Sequence, residues 1–182
     1  MVYVHIAEGF EEVEALTIVD VLRRAECKVM TVSMTDEYIV TGTHEIAVKT
    51  DMLFGEADYD SCEMIVLPGG MPGASNLQEH KGLEAQIKAF ASAGKKLAAI
   101  CAAPMVLAAH GALQGKSATI YPGMEEFLKG ATPTGEAVTK DGNVITGQGP
   151  ALAMEFALKL VEDLKGAQVR DEVAKGLLCR EY

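Results

Sequence analysis

Apolar positions along this chain follow two alternating rhythms. Short runs of strand length stand at Val2 to Ile6, Val29 to Val32, Met64 to Leu67 and Lys96 to Ile100. Longer stretches with apolar residues three and four positions apart separate them, as crossover helices would. Glu11 to Ala25 reads as the first of these helices, with Val13, Leu16, Val19, Val21 and Leu22 mostly on one side and Glu12, Arg23 and Arg24 elsewhere. The unbroken apolar character of Met64-Ile65-Val66-Leu67 suits a strand covered by helices on both faces. The pattern predicts an α/β fold, a doubly wound, mainly parallel sheet with helices on both faces. Two segments break the rhythm and predict small antiparallel hairpins. One runs from Tyr38 to Val48; the other pairs Ala137-Val138-Thr139 with Asn143-Val144-Ile145 around Lys140-Asp141-Gly142, where Asp-Gly favours a tight turn. Pro150 suits the first turn of a late helix whose apolar face is Met154, Ala157, Leu158, Val161 and Leu164, with Gly166 as its stop. There is no internal repeat, low-complexity tract or linker, so one domain over residues 1–182 is expected.

Composition narrows the class of partner. A chain of 182 residues can bury a sizeable core without disulfides or metals. Its 26 acidic residues against 16 basic ones give a net charge of -10. Such a surface repels phosphate backbones and anionic bilayers, so neither nucleic acid nor membrane is an expected partner. The first strand begins at Val2, without a basic leader or a long apolar segment ahead of it, and a cytoplasmic location is expected. Cys27, Cys62, Cys101 and Cys179 lie far apart, with no CxxC pair and no nearby histidine cluster. Free thiols and no metal site are the expectation.

Of the four thiols, Cys101 has the distinctive setting. Lys96 to Ile100 reads as a buried strand and Ala102 to His110 as helix, so Cys101 occupies a strand-to-helix elbow with almost no loop. An elbow of this kind holds its central residue in a strained conformation and directs the side chain out above the sheet. It also sets the sulfur beside the positive end of the following helix, which favours a thiolate. Ala98, Ala99, Ala102 and Ala103 allow close packing around the turn, and Pro104 fits the first helical turn. The loop Leu67-Pro68-Gly69-Gly70-Met71-Pro72-Gly73 follows another strand, and its glycines can aim backbone amides at an anion near the same sheet edge. It has neither the Lys-Ser/Thr ending of a nucleotide loop nor the GxGxxG order of a dinucleotide site, so no cofactor is expected. Glu8-Gly9-Phe10-Glu11-Glu12-Val13-Glu14 opens the first helix at that edge. Glu11 and Glu12 read as favourable charges at a helix start. Glu14 has apolar neighbours at helical spacing and is expected to point inward, where a carboxyl tends to hold its proton and can serve the thiol.

These stretches, taken in order, resemble the ThiJ/PfpI superfamily, also called the DJ-one family, and most nearly its protein deglycase branch. The resemblance spans nearly the whole chain. It is carried by Glu11-Glu12-Val13-Glu14 with Val19-Asp20-Val21-Leu22-Arg23-Arg24-Ala25, by Val66-Leu67-Pro68-Gly69-Gly70, by Ala98-Ala99-Ile100-Cys101-Ala102-Ala103-Pro104, and by Gly147-Gln148-Gly149-Pro150 with Glu155-Phe156-Ala157-Leu158. The resemblance implies a flavodoxin-like fold and a homodimer. It further implies Cys101 as nucleophile, Glu14 as its carboxyl partner, and the amides of Gly70 and Ala102 as an oxyanion pocket. The activities it implies are glutathione-independent conversion of methylglyoxal to lactate, release of early glycation adducts, redox-dependent chaperoning and oxidative-stress sensing. The substrate expected is therefore a small reactive carbonyl or a glycated molecule.

Departures from the family pattern sharpen this reading. Protease-like and amidotransferase-like branches place histidine directly after the cysteine, or elsewhere in a triad, whereas the next residue here is Ala102, which disfavours a Cys-His peptidase. The deglycase relative carries a histidine before a proline near the site, where this chain has Tyr121 before Pro122. Tyrosine is no imidazole base at neutral pH but can donate a hydrogen bond. His5 and His110 read as packing or surface residues and His80 as part of a helix start. His44, on the first antiparallel excursion, is placed by the resemblance near the dimer interface, within reach of a partner's site. Arg24 is considered as an anion holder near Cys101. Gly69 is grouped with Gly70 and Ala102 as anion-binding, and Cys27, Cys62 and Cys179 read as structural thiols.

Overall fold

A computed structural model describes residues 1–179 of the chain. Strands β1 (Val2–Ile6), β2 (Val29–Ser33), β6 (Met64–Leu67) and β7 (Lys96–Ile100) form where the apolar runs stand. Alternate residues of each strand serve opposite faces. Val2, Val4, Ile6, Met64, Val66, Ala98 and Ile100 pack into one core layer, and Tyr3, Ile65, Leu67, Leu97 and Ala99 into the other. Helices α1 (Glu12–Arg24), α5 (Ala153–Lys165) and α6 (Ala167–Gly176) cover the first face. The second is covered by α2 (Gly73–Glu79), α3 (Lys81–Ala93) and α4 (Pro104–Ala109).

The main sheet has seven strands in the order β10-β11-β7-β6-β1-β2-β5, where β5 is Met52–Leu53, β10 Val138–Asp141 and β11 Val144–Gly147. All neighbours are parallel except β10 and β11, the predicted second hairpin. Asp141 pairs with Val144, so the turn residues are Gly142, at φ +60°, and Asn143. The first excursion is the antiparallel pair β3 (Ile39–Thr41) and β4 (Ala47–Lys49). Two further short strands, β8 (Ser117–Ala118) and β9 (Thr132–Pro133), pair apart from the sheet. Pro150 begins a single 3-10 turn before α5, and Gly166 ends that helix at φ +88°.

One expectation about α1 is corrected. Val13 and Leu16 face outward, while Glu12, Glu14, Ala15, Ile18, Val19, Val21 and Leu22 are buried. Packing against α5 and β1 selects the stripe through Ala15, Ile18, Val19 and Leu22, at the three- and four-residue steps of a helix face. Glu14 lies at the end of that stripe nearest the glycine-rich loop.

Candidate active site

The parallel strands deliver their carboxyl ends, and the turns that follow them, to one edge. Cys101 follows β7 directly, at φ +63°, a left-handed conformation rare for a residue with a side chain. Its N–H donates to the Gly147 carbonyl at 2.9 Å and its carbonyl accepts from Tyr121 N–H at 2.9 Å, so the elbow is clamped on both sides. Cys101 is 8 % exposed, reachable but largely dry.

Glu14 is fully buried in the first turn of α1. Glu11 is the N-cap, its Oε2 accepting from Glu14 N–H at 2.8 Å, which fixes the start of the helix and thereby aims Glu14. Glu14 Oε2 accepts from Gly69 N–H at 2.7 Å, whereas Oε1 has no hydrogen-bond partner among the described residues. Gly69 has no room for a side chain: a Cβ there would stand 2.6 Å from Cys101 Cβ and 2.8 Å from Glu14 Oε2. Its amide is spent on Glu14, so Gly69 orients the carboxyl and is not one of the anion donors around the sulfur. Gly70 at φ +92° turns the next amide toward Cys101, where it and the Ala102 amide favour the sulfur anion.

Opposing effects set the protonation of this pair. Burial pushes the Glu14 carboxyl up to about 7. Burial first, and the Glu14 charge second, push the Cys101 thiol up to about 12. The thiolate expected from the helix end is thus corrected. Helix α4 has only 6 residues, and the two amides and its dipole are outweighed by desolvation and the facing carboxylate. Near neutral pH the carboxyl is therefore in mid-titration while the thiol keeps its proton, and the pair's negative charge, where present, resides first on Glu14.

The auxiliary residues fall in different places. Arg24 sits in the last turn of α1, ten residues and so about 15 Å along the helix from Glu14, with Nε donating to Asp20 Oδ2 at 2.7 Å. It is not part of this chain's Cys101 site. His44 Nδ1 lies 2.9 Å from Glu12 Oε2, so the ring is committed to Glu12. Glu12 is more than a favourable helix-start charge: its Oε1 accepts from His44 N–H at 2.7 Å and anchors the β3–β4 hairpin to α1. Ligand atoms of Glu11, Glu12 and His44 lie within 4.8 Å of one another, but both Glu12 oxygens are already occupied by these bonds. Tyr121 stands beside the elbow, its ring 3.4 Å from where a Cβ on Gly149 would lie.

His5 is packed against Tyr59, Nε2 to Oη 2.7 Å, and His80 is the N-cap of α3. His110 Nε2 meets the Gln78 carbonyl at 3.2 Å, away from the elbow. The four cysteines are free. Residues 148 to 152, beside Tyr121, have no place at the site that sequence alone assigns, although Pro150 reads as a helix start. Their signal is the Gly-Gln-Gly-Pro at the carboxyl end of a strand.

An elbow cysteine, a carboxyl at the first helix and a glycine-rich anion loop on a flavodoxin-like sheet define a class, and comparison with known proteins agrees. The chain belongs to the DJ-1/PfpI family, which it matches over residues 1–163. It is 40% identical to Protein dj-1beta of Drosophila melanogaster, over 95% of this chain and 94% of that protein. The solved structure titled "Toxoplasma gondii DJ-1, oxidized" superposes with a TM-score of 0.94 at 38% identity, covering 97% of each chain. A Caenorhabditis elegans protein named glutathione-independent glyoxalase is 31% identical over 93% of this chain and 91% of that protein. Among the described residues no helix is long and apolar enough to cross a membrane.

Proposed function

We propose that this protein is a cysteine-dependent enzyme acting on small reactive carbonyls, of the glutathione-independent glyoxalase and protein deglycase type, with a role in carbonyl and oxidative stress protection. The observation that carries the reading is the Cys101 thiol facing a buried carboxyl, Glu14, and the amides of Gly70 and Ala102. The name of the Caenorhabditis elegans relative supports it.

With methylglyoxal the steps run as follows. Glu14 carboxylate takes the thiol proton as sulfur bonds to the aldehyde carbon, and the Gly70 and Ala102 amides receive the developing oxyanion. Protonation of that oxygen gives a hemithioacetal. Glu14 then removes the proton on the former aldehyde carbon and the neighbouring carbonyl carbon gains one, so the first carbon is oxidised to a thioester as the second is reduced to an alcohol. Water cleaves the thioester, giving lactate and restoring the thiol. The net change is addition of one water, with no external oxidant or reductant.

The test is methylglyoxal loss and lactate gain by wild type, Cys101→Ser and Glu14→Gln. Lactate formation should fall at least a hundredfold in Cys101→Ser; equal rates in all three proteins would remove the reading.

A second reading is a redox-sensing chaperone. The unpartnered Glu14 Oε1 favours it, because a protonated Glu14 can donate to an oxygen added at sulfur. Two peroxide molecules convert the thiolate to sulfinate with release of two waters. Mass spectrometry after mild peroxide should find Cys101 oxidised ahead of Cys27 and Cys179. Either reading is compatible with a cytoplasmic homodimer, and the outward Val13 and Leu16 of α1 with nearby Ile46 provide an apolar face for the dimer.

A further inference from the structure

The two segments bonded to the Cys101 backbone line a groove that Cys101 and Glu14 do not themselves line and that the chemistry above leaves unused. Tyr121 and Pro122 line it from one segment and residues 148–152 from another, and this open groove offers about 390 Å³. Both segments hang from the nucleophile's own backbone: Tyr121 N–H donates to the Cys101 carbonyl, and Cys101 N–H to Gly147, one residue before the groove begins. A small-molecule pocket is typically about 300–1,000 Å³. A methyl substituent on a carbonyl at Cys101 would occupy little of this space.

The chemistry of the lining is one-sided. It consists of the Tyr121 ring, Pro122, Gly149, Pro150, Ala151 and Leu152, with Gln148 as its one amide side chain and no charged residue. The two prolines have no N–H to offer, and the Gln148 side-chain nitrogen donates one of its two N–H bonds to the Gly135 carbonyl at 3.2 Å. Gly149 leaves the Tyr121 ring face open, since a Cβ there would come to 3.4 Å from Cδ2. A carboxylate or phosphate substituent finds no cation here, whereas an aryl or branched alkyl group finds a ring, two prolines and a leucine.

We propose that this groove is a specificity subsite that takes the apolar substituent, aryl or branched alkyl, of an α-oxoaldehyde whose aldehyde carbon is held at Cys101. It rests on the carbonyl reading above and names the substrate class within it. The steps are unchanged, so phenylglyoxal plus water gives mandelate as methylglyoxal plus water gives lactate.

The experiment compares kcat/KM for phenylglyoxal and methylglyoxal in wild type and Gly149→Leu. Gly149 is in the extended region, at φ 175° and ψ -175°, so leucine fits the backbone and its side chain fills the groove. The wild-type ratio of phenylglyoxal to methylglyoxal should be about tenfold in favour of the aryl substrate, and Gly149→Leu should lower that ratio about tenfold. Should Gly149→Leu not fold, Leu152→Asn, which makes the wall polar, carries the same comparison. A variant ratio within twofold of wild type, or a wild-type preference for methylglyoxal, overturns the subsite while leaving the carbonyl reading standing. If wild type consumes neither aldehyde, the carbonyl reading falls, and the groove is then judged by acetophenone binding to Cys101→Ser. Amide NMR shifts at Tyr121, Ala151 and Leu152 support an apolar subsite, and their absence overturns it.

Discussion

At the scale of the residue, Glu14 is the group on which the proposed chemistry depends, and its titration gives two linked outcomes. Its carboxyl is raised to about 7 by burial, so the carboxylate needed to accept the thiol proton appears as pH rises through about 7. kcat/KM for an α-oxoaldehyde should climb tenfold per unit below that value and level off above it, with the limb absent in Glu14→Gln. The stability effect has the opposite sign. A carboxyl whose folded value lies above its unfolded one binds more protons when folded, so stability is lost as pH rises from about 4.5 to about 7. Glu14→Gln should therefore gain on wild type between pH 4 and pH 8, by up to about 3 kcal/mol in denaturant melts. Gly69 gives a second prediction at this scale. A Cβ there would be 2.6 Å from Cys101 Cβ and 2.9 Å from the Ile100 carbonyl, so Gly69→Ala must displace the thiol, the carboxyl or both. Displacement of about 1 Å costs on the order of a hundredfold in rate. Gly69→Ala should lose at least that much activity and melt earlier than wild type by calorimetry.

At the scale of the element, the β3–β4 hairpin is held to α1 chiefly by one buried acid. Glu12 accepts from the backbone of His44 at 2.7 Å and from that of Ile46, in addition to the His44 ring. The ring itself is exposed, and the ion pair with Glu12, which raises the His44 value, is screened by solvent. Its small stabilisation is present below the ordinary histidine range and fades as pH rises past the raised value. Glu12→Ala should speed hydrogen exchange of the Ile39 to Lys49 amides at least tenfold, whereas His44→Ala should change it less than threefold. Equal effects from the two variants would mean that the ring, not the backbone bonds, holds the hairpin. Legibility in the sequence follows the same division between local and distant causes. Strands β1, β6 and β7 are readable to the residue because both their faces are buried, leaving runs that are apolar but for His5 in β1 and Lys96 at the start of β7. The two-residue strands β5, β8 and β9 are too short to carry a period. The elbow was readable because strand and helix abut at Cys101, and φ +63° is the conformation that juncture demands. The bond from Glu12 to His44 joins residues 32 apart, and no local pattern announces it.

At the scale of the whole molecule, the outward side of α1 bears on how copies of the chain would meet. The start of α1, which buries Glu12 and Glu14 while exposing Val13 and Leu16, is inverted relative to the rest of the helix, where the apolar residues turn inward. The buried acids are accounted for by the hairpin and by Cys101. The exposed apolar residues are left without a role inside one chain, at 55% and 45% exposure, with Ile46 at 53% held alongside by the Glu12 bond to its amide. Apolar groups gathered on the surface of a chain with net charge -10 form a patch of the kind that proteins bury in contacts with one another. If the proposed homodimer forms there, light scattering should give the mass of two chains, with dissociation favoured at low salt, where the repulsion is least screened. Replacing Val13 and Leu16 together with glutamate puts a desolvated charge at the contact in each copy and should yield monomer at micromolar concentration. The same double variant reports on the site, because Val13 is adjacent to Glu14. A monomer that retains full activity would make Cys101 and Glu14 self-sufficient within one chain, whereas a monomer with an intact fold and reduced turnover would show that the second copy completes or steadies the site.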